Sequence, residues 1–357
     1  MANMNIGTPR FYPDGIAYYI TRGSSPLAIV TGSNLLDFQT GKIGELSDGR
    51  PLNQVDFDTS SDSGQDHVLF TGNFGSTSYR SNYIAILNHN LQTCAGKIRI
   101  GFGNAVSDVN DVDLGSVDTT STLAASEVVN ADSITVASNQ ILVDPATDGT
   151  TLLTYTYNDP AEDVSNSYIG IQFEGNNGQT NAGAGDGVFT ADLKIGGIMV
   201  GEYFDMPHAP DLSVKRSIIY DKVKIQESAG GQRYGIASNL GRTGTTTTLS
   251  PFNTGTYGAY TMGGRMAYDM NFSYLASTDV MPNEYDYREW ADDAVVLDVW
   301  NATNGPHIPF IFSVDNSSTG DNAESEHIYA RFAQNNLDMT QVAHNVWNVK
   351  MRIEEEF

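Results

Sequence analysis

Apolar and polar positions alternate with a period of two over much of the second half of the chain. Met266, Tyr268, Met270, Phe272 and Tyr274 fall on one face of a strand. Trp347, Val349, Met351 and Ile353 share another, opposite Asn348, Lys350, Arg352 and Glu354. Period two with one wet face marks an antiparallel sheet. Further strand-like runs lie at 67–74, 83–89, 97–102, 152–157, 168–173, 188–203, 214–225, 309–314 and 327–332. Gly, Asn and Asp punctuate them, a pattern that suits sandwiches or jelly rolls.

The period changes at 283–300. Tyr287, Trp290, Ala294, Leu297 and Trp300 recur at helical spacing and predict one amphipathic helix over 283–302. Asn283 is its expected N-cap, with Pro282 before it. Glu284, Asp286 and Glu289 suit the positive end of the dipole, and Asn304-Gly305-Pro306 ends it. A shorter helix or turn is expected at 15–21. The double-Pro connector Met206-Pro207-His208-Ala209-Pro210 predicts a boundary near 206. The expectation is a mainly β chain of two antiparallel β-sandwich, jelly-roll-like domains. The first, 1–206, is acidic; the second, 207–357, carries the helix. Residues 241–264, with eight Thr, read as an extended arm able to pack on a neighbouring subunit.

Composition adds charge. The 357 residues carry 43 Asp and Glu against 19 Lys and Arg, a net charge of −24. Residues 101–193 hold 14 acids and no Lys or Arg. Such a surface repels phosphate, so nucleic-acid binding and attraction to anionic membranes are not expected. Cys94 is the only cysteine, which rules out an intrachain disulfide and a cysteine-based zinc cluster. The N-terminal residues form no basic and apolar signal pattern, and no apolar run is long enough to span a bilayer.

Candidate chemistry is sparse. The six His show no tight ligand spacing; His89, in Asn88-His89-Asn90, is the most suggestive, and a hydrogen-bonded turn residue is its expected role. Asp108-Val109-Asn110-Asp111-Val112-Asp113 has the composition of a calcium loop without EF-hand spacing, and reads as a solvated acidic turn. The paired acids Asp292-Asp293 and Glu354-Glu355-Glu356 are expected to point apart. No nucleophile elbow, P-loop or complete dinucleotide fingerprint occurs. No catalytic, cofactor-binding or metal-ligating residues are assigned, no cofactor is expected, and the chain is not expected to be an enzyme. Trp290, Trp300 and Trp347 lie on apolar faces and are expected in cores.

Asn82-Tyr83-Ile84-Ala85-Ile86-Leu87-Asn88-His89-Asn90-Leu91 resembles a strand and turn of tailed-bacteriophage tail proteins with discoidin-like jelly-roll domains. Ile195-Gly196-Gly197-Ile198-Met199-Val200-Gly201-Glu202 resembles the closing strand of the same domain. Lys224 to Tyr234, His307 to Ser313 and the terminal strand are similar to segments of the same proteins. The resemblance implies a structural virion component: a tail, distal-tail, tail-tip or baseplate protein, assembled in the bacterial host cytoplasm as a homo-oligomer with other tail proteins. Its motifs are structural and supply no functional residues. The alternative expectation is a carbohydrate-binding adhesin that attaches to host surface glycans.

Overall fold

Runs that are apolar at every position, such as Tyr83 to Leu87 and Pro309 to Phe312, need cover on both faces. The structure supplies it by layering antiparallel sheets. The computed structural model describes residues 6–23, 27–29, 40–59, 67–73, 81–103, 127–128, 134–136, 148–157, 168–175, 188–219, 223–237, 265–282, 294–317 and 326–356.

The outer layer is a five-stranded sheet in the order β2 (Leu27–Ile29), β4 (His67–Asn73), β10 (Tyr168–Gly175), β6 (Gly96–Gly103), β7 (Glu127–Val128), with only the short β6–β7 pair parallel. The middle layer is a four-stranded sheet, β12 (Gly197–Gly201), β5 (Tyr83–His89), β9 (Gly149–Tyr157), β8 (Ile134–Val136). A short pair, β3 (Val55–Phe57) with β11 (Leu193–Ile195), lies beside them. The third layer is an eight-stranded sheet: β13 (Phe204–Asp205), β1 (Arg10–Pro13), β18 (Phe310–Ser313), β19 (His327–Phe332), β21 (Val346–Glu355), β17 (Arg265–Ala276), β14 (Lys215–Ile219). β20 (Asp338–Ala343) pairs β21 off this path. A separate ribbon joins β15 (Val223–Glu227) to β16 (Arg233–Ala237).

Side-chain alternation sorts these layers into three cores. Ile84, Ile86, Ile198 and Val200 of the middle sheet meet Phe70, Ile169, Ile171 and Phe173 of the outer one. On the opposite face, Tyr83, Ala85, Leu87 and Met199 meet Tyr12, Ile311 and Tyr329 of the eight-stranded sheet. The far side of that sheet turns Phe11, Phe310, Phe312, Ile328 and Phe332 into a third core, closed by Val295, Val296 and Val299. Each such side chain contributes roughly 1.5–3 kcal/mol on burial.

The boundary expected at 206 does not divide this packing. β1 enters the eight-stranded sheet from residue 10, antiparallel to β13 on one side and β18 on the other. Arg10, opposite Asp205, makes a two-pronged ion pair with it at 2.6 and 2.7 Å and stacks over Tyr203. Burial works against the guanidinium charge, but the Asp205 hydrogen bonds hold its pKa above the ordinary value. The connector begins at Met206, itself buried in the third core.

Of the helix expected over 283–302, only the part from Ala294 on lies among the described residues. Residues 283–293, Trp290 among them, lie outside the described residues. Ala294 is extended (φ −117°, ψ 133°), and a single π-helical turn runs from Val295 to Asn301. Its buried residues are Val295, Val296, Asp298 and Val299, with Leu297 and Trp300 only half-buried. The Ala294 N–H donates to the Asp298 carboxylate at 2.7 Å, so that side chain starts the turn. Asn304 and Gly305 at positive φ end it as expected. The Gly15–Thr21 helix forms as expected, capped by Asp14.

The alternation of β17 holds through Phe272 and then slips. A bulge between Phe272 and Leu275 puts Tyr274 at φ 65° and 79% exposed, and Leu275 takes the core position.

Candidate functional site

His89 lies where the sequence motif at 82–91 turns, and it is buried. β5 bends at Asn88, in the left-handed region (φ 47°), one residue before its end, and residues 91–95 turn back into β6. The Leu91 N–H donates to His89 Nδ1 at 3.4 Å, which places the ring proton on Nε2, 2.9 Å from Thr151 Oγ1. Burial pushes the His89 pKa down to about 3, so the ring is neutral.

The neighbouring amides are spent on backbone. Asn88 Nδ2 donates to the Pro51 carbonyl, and Gln54 Nε2 donates to the Asn88 carbonyl, both at 2.8 Å. Asn90 Nδ2 donates to the Asp192 carbonyl while its Oδ1 accepts from the Lys194 N–H. Thr93 donates through N–H and Oγ1 to Asp148. Cys94 is buried beside this turn; burial, then the Asp148 charge, push its thiol up to about 12, so it stays protonated at neutral pH. The cluster ties four chain segments together and is a structural clamp. The expected role of His89, a hydrogen-bonded turn residue, is the one this geometry gives.

Gly196 approaches the clamp so closely that a Cβ would overlap the Pro51 carbonyl oxygen. Gly196→Ala is expected to cost roughly 1–3 kcal/mol, read as a lower denaturant midpoint with an unchanged slope. A change within error would mean the Pro51 turn shifts freely.

None of the other sequence candidates among the described residues converges with His89. Asp108–Asp113, Asp292 and Asp293 lie outside the described residues. Glu354 reaches Arg265 at 3.6 Å, Glu355 is buried and accepts the Met266 N–H, and Glu356 reaches Arg331. The three acids thus point apart. Trp300 packs against Phe332, and Trp347 sits half-buried against the same core. Among the described residues no group of three His, Cys, Asp or Glu is placed to hold a metal ion, and no helix is long and apolar enough to cross a membrane.

An exposed apolar surface lies beyond these candidates. β14 ends one side of the eight-stranded sheet, with Ile218 exposed; Leu212, just before it, is fully exposed. All six residues of β20 are exposed, Met339 and Val342 included, and Tyr274 stands near by on the bulge of β17. The signal was present in the apolar residues of 338–343, a segment too mixed in polarity to stand out as a strand. Comparison with protein-family models, with curated proteins and with solved structures finds no match to this chain.

Proposed function

We propose that this chain is a structural component of a phage virion, a tail or tail-tip/baseplate protein that works as a homo-oligomer. The observation that carries the reading is the pair of unprotected edges, β14 and β20. Among the described residues each pairs with a strand on one side only and exposes apolar side chains, a combination that invites another chain. Two further points support it. The segment resembling phage tail domains, 82–91, forms a strand buried at every position but Asn88, and its anchored turn, the parts such a resemblance concerns. A net charge of −24 suits a particle through which DNA must pass without adhering.

Light scattering on the purified chain at micromolar concentration is expected to give a multiple of 38.6 kDa, with closed rings in negative-stain micrographs. Antibody against the chain is expected to label the tails of particles that carry its gene. A monomer without rings, or label confined to the capsid, overturns the reading. Duplex DNA is expected not to bind in ~0.1 M salt, where the Debye length is ~10 Å.

A further inference from the structure

The ribbon of β15 and β16 has two wet faces. Every described side chain from Lys224 to Gly235 is exposed except the half-buried Ser228. Ile225 is 68% exposed and Tyr234 54%. By register, Ile225 shares one face with Glu227 and Arg233, and Tyr234 shares the other with Lys224 and Gln226. The turn is well made. The Ser228 N–H donates to the Gln232 carbonyl at 2.8 Å, the Gly231 N–H to the Ser228 carbonyl at 2.9 Å, and Gly231 supplies the left-handed residue (φ 79°). Arg233 and Glu227 pair across it at 3.4 Å. Two strands alone gain little stability in water, and burial against another surface is what fixes such a ribbon.

Charge selects that surface. On the ribbon the Tyr234 face carries Lys224 and Gln226 and no carboxylate among the described residues, whereas on the other face Arg233 is paired with Glu227. That basic face belongs to a chain whose net charge is −24. The acid-rich body of a second copy is therefore complementary to it, whereas the bodies of two copies repel one another. We infer that the β15–β16 ribbon is the docking element of self-assembly, seating the face that carries Lys224 and Tyr234 against the acidic body of a neighbouring copy. This rests on the homo-oligomer reading above and names the part of the chain that makes the contact.

The test uses the full chain and two variants on that face, Tyr234→Asp and Lys224→Glu. Their side chains are exposed, so far-UV circular dichroism and the denaturant midpoint are expected to match wild type. Light scattering over a concentration series is expected to show association weakened at least tenfold in Tyr234→Asp. Lys224→Glu is expected to weaken it at low salt, with the gap to wild type closing as salt rises. Zero-length carbodiimide coupling of wild type is expected to join Lys224 to a carboxylate of another copy.

If wild type assembles and the folded variants assemble equally well, the ribbon is not the contact and only this inference fails. A monomeric wild type overturns both this inference and the homo-oligomer reading. Variants that assemble normally but lose binding to a different virion protein would give the ribbon another occupant, and the second-copy assignment would fall.

Discussion

Phe11→Ala is expected to lower the unfolding free energy by about 3–5 kcal/mol. Phe11 is fully buried, with ring centroids 5.6, 5.2 and 6.1 Å from Phe310, Phe312 and Phe332. Truncation removes the ring at the centre of this cluster, and β1 is pinned on both sides by β13 and β18, so the backbone cannot close the gap. Tryptophan fluorescence reads the effect, because Trp300 lies 5.1 Å from Phe332. The fluorescence midpoint should fall although the substitution lies near the N-terminus. Phe11→Leu should lose much less, since it keeps most of the volume. A loss below about 1 kcal/mol, well under the usual cost of such a truncation, would mean that β1 does not hold the third core together.

Asp14 and His89 are expected to drive stability in opposite directions over the same pH range. Asp14, 4% exposed, caps the Gly15–Thr21 helix by accepting the Ile16 and Ala17 N–H groups. Burial raises its pKa to about 7 against those two hydrogen bonds. The folded value lies above the unfolded one, about 4, so folding takes up a proton. Its contribution is complete below about pH 4 and is lost as pH rises through about 7. His89 is the reverse: its folded value, about 3, lies below the unfolded value of about 6.5. Its contribution is complete above about pH 6.5 and is lost as pH falls through about 3.

Between about pH 4.5 and 6.5 the two slopes, each up to ~1.4 kcal/mol per pH unit, oppose one another in wild type. Asp14→Asn keeps the cap without the charge. Its stability relative to wild type should rise by roughly 2–3 kcal/mol as pH goes from about 4.5 to 6.5. His89→Gln should change in the opposite sense over the same range. Equilibrium denaturation at three pH values in this range measures both. Curves for either variant that run parallel to wild type would show that the group titrates alike folded and unfolded.

The alternation in β21 was legible because one face meets the core and the other water. Val349, Met351 and Ile353 are buried as that pattern requires, and Lys350 and Arg352 are exposed. Tyr83 to His89 was legible as a strand by its run of β-branched and aromatic residues. The bulge at Tyr274 was not, because a slip of register leaves the local pattern intact until the partner strand is known. The π turn at 295–301 hid behind the spacing of Trp290, Ala294 and Leu297, which fits an α-helix equally well. The role of His89 depended on Thr151, 62 residues away, which spacing could not bring to it.

By itself, then, the sequence determined strand content, antiparallel pairing and an acid-rich surface. All three follow from nearest-neighbour periodicity and composition, which act locally along the chain. Only the tertiary structure decided that β1 joins β18, some 300 residues away, that the middle sheet is covered on both faces, and that, among the described residues, β20 and the β15–β16 ribbon are left exposed. Which apolar face finds a partner depends on shape and register between distant segments, and no local pattern encodes that.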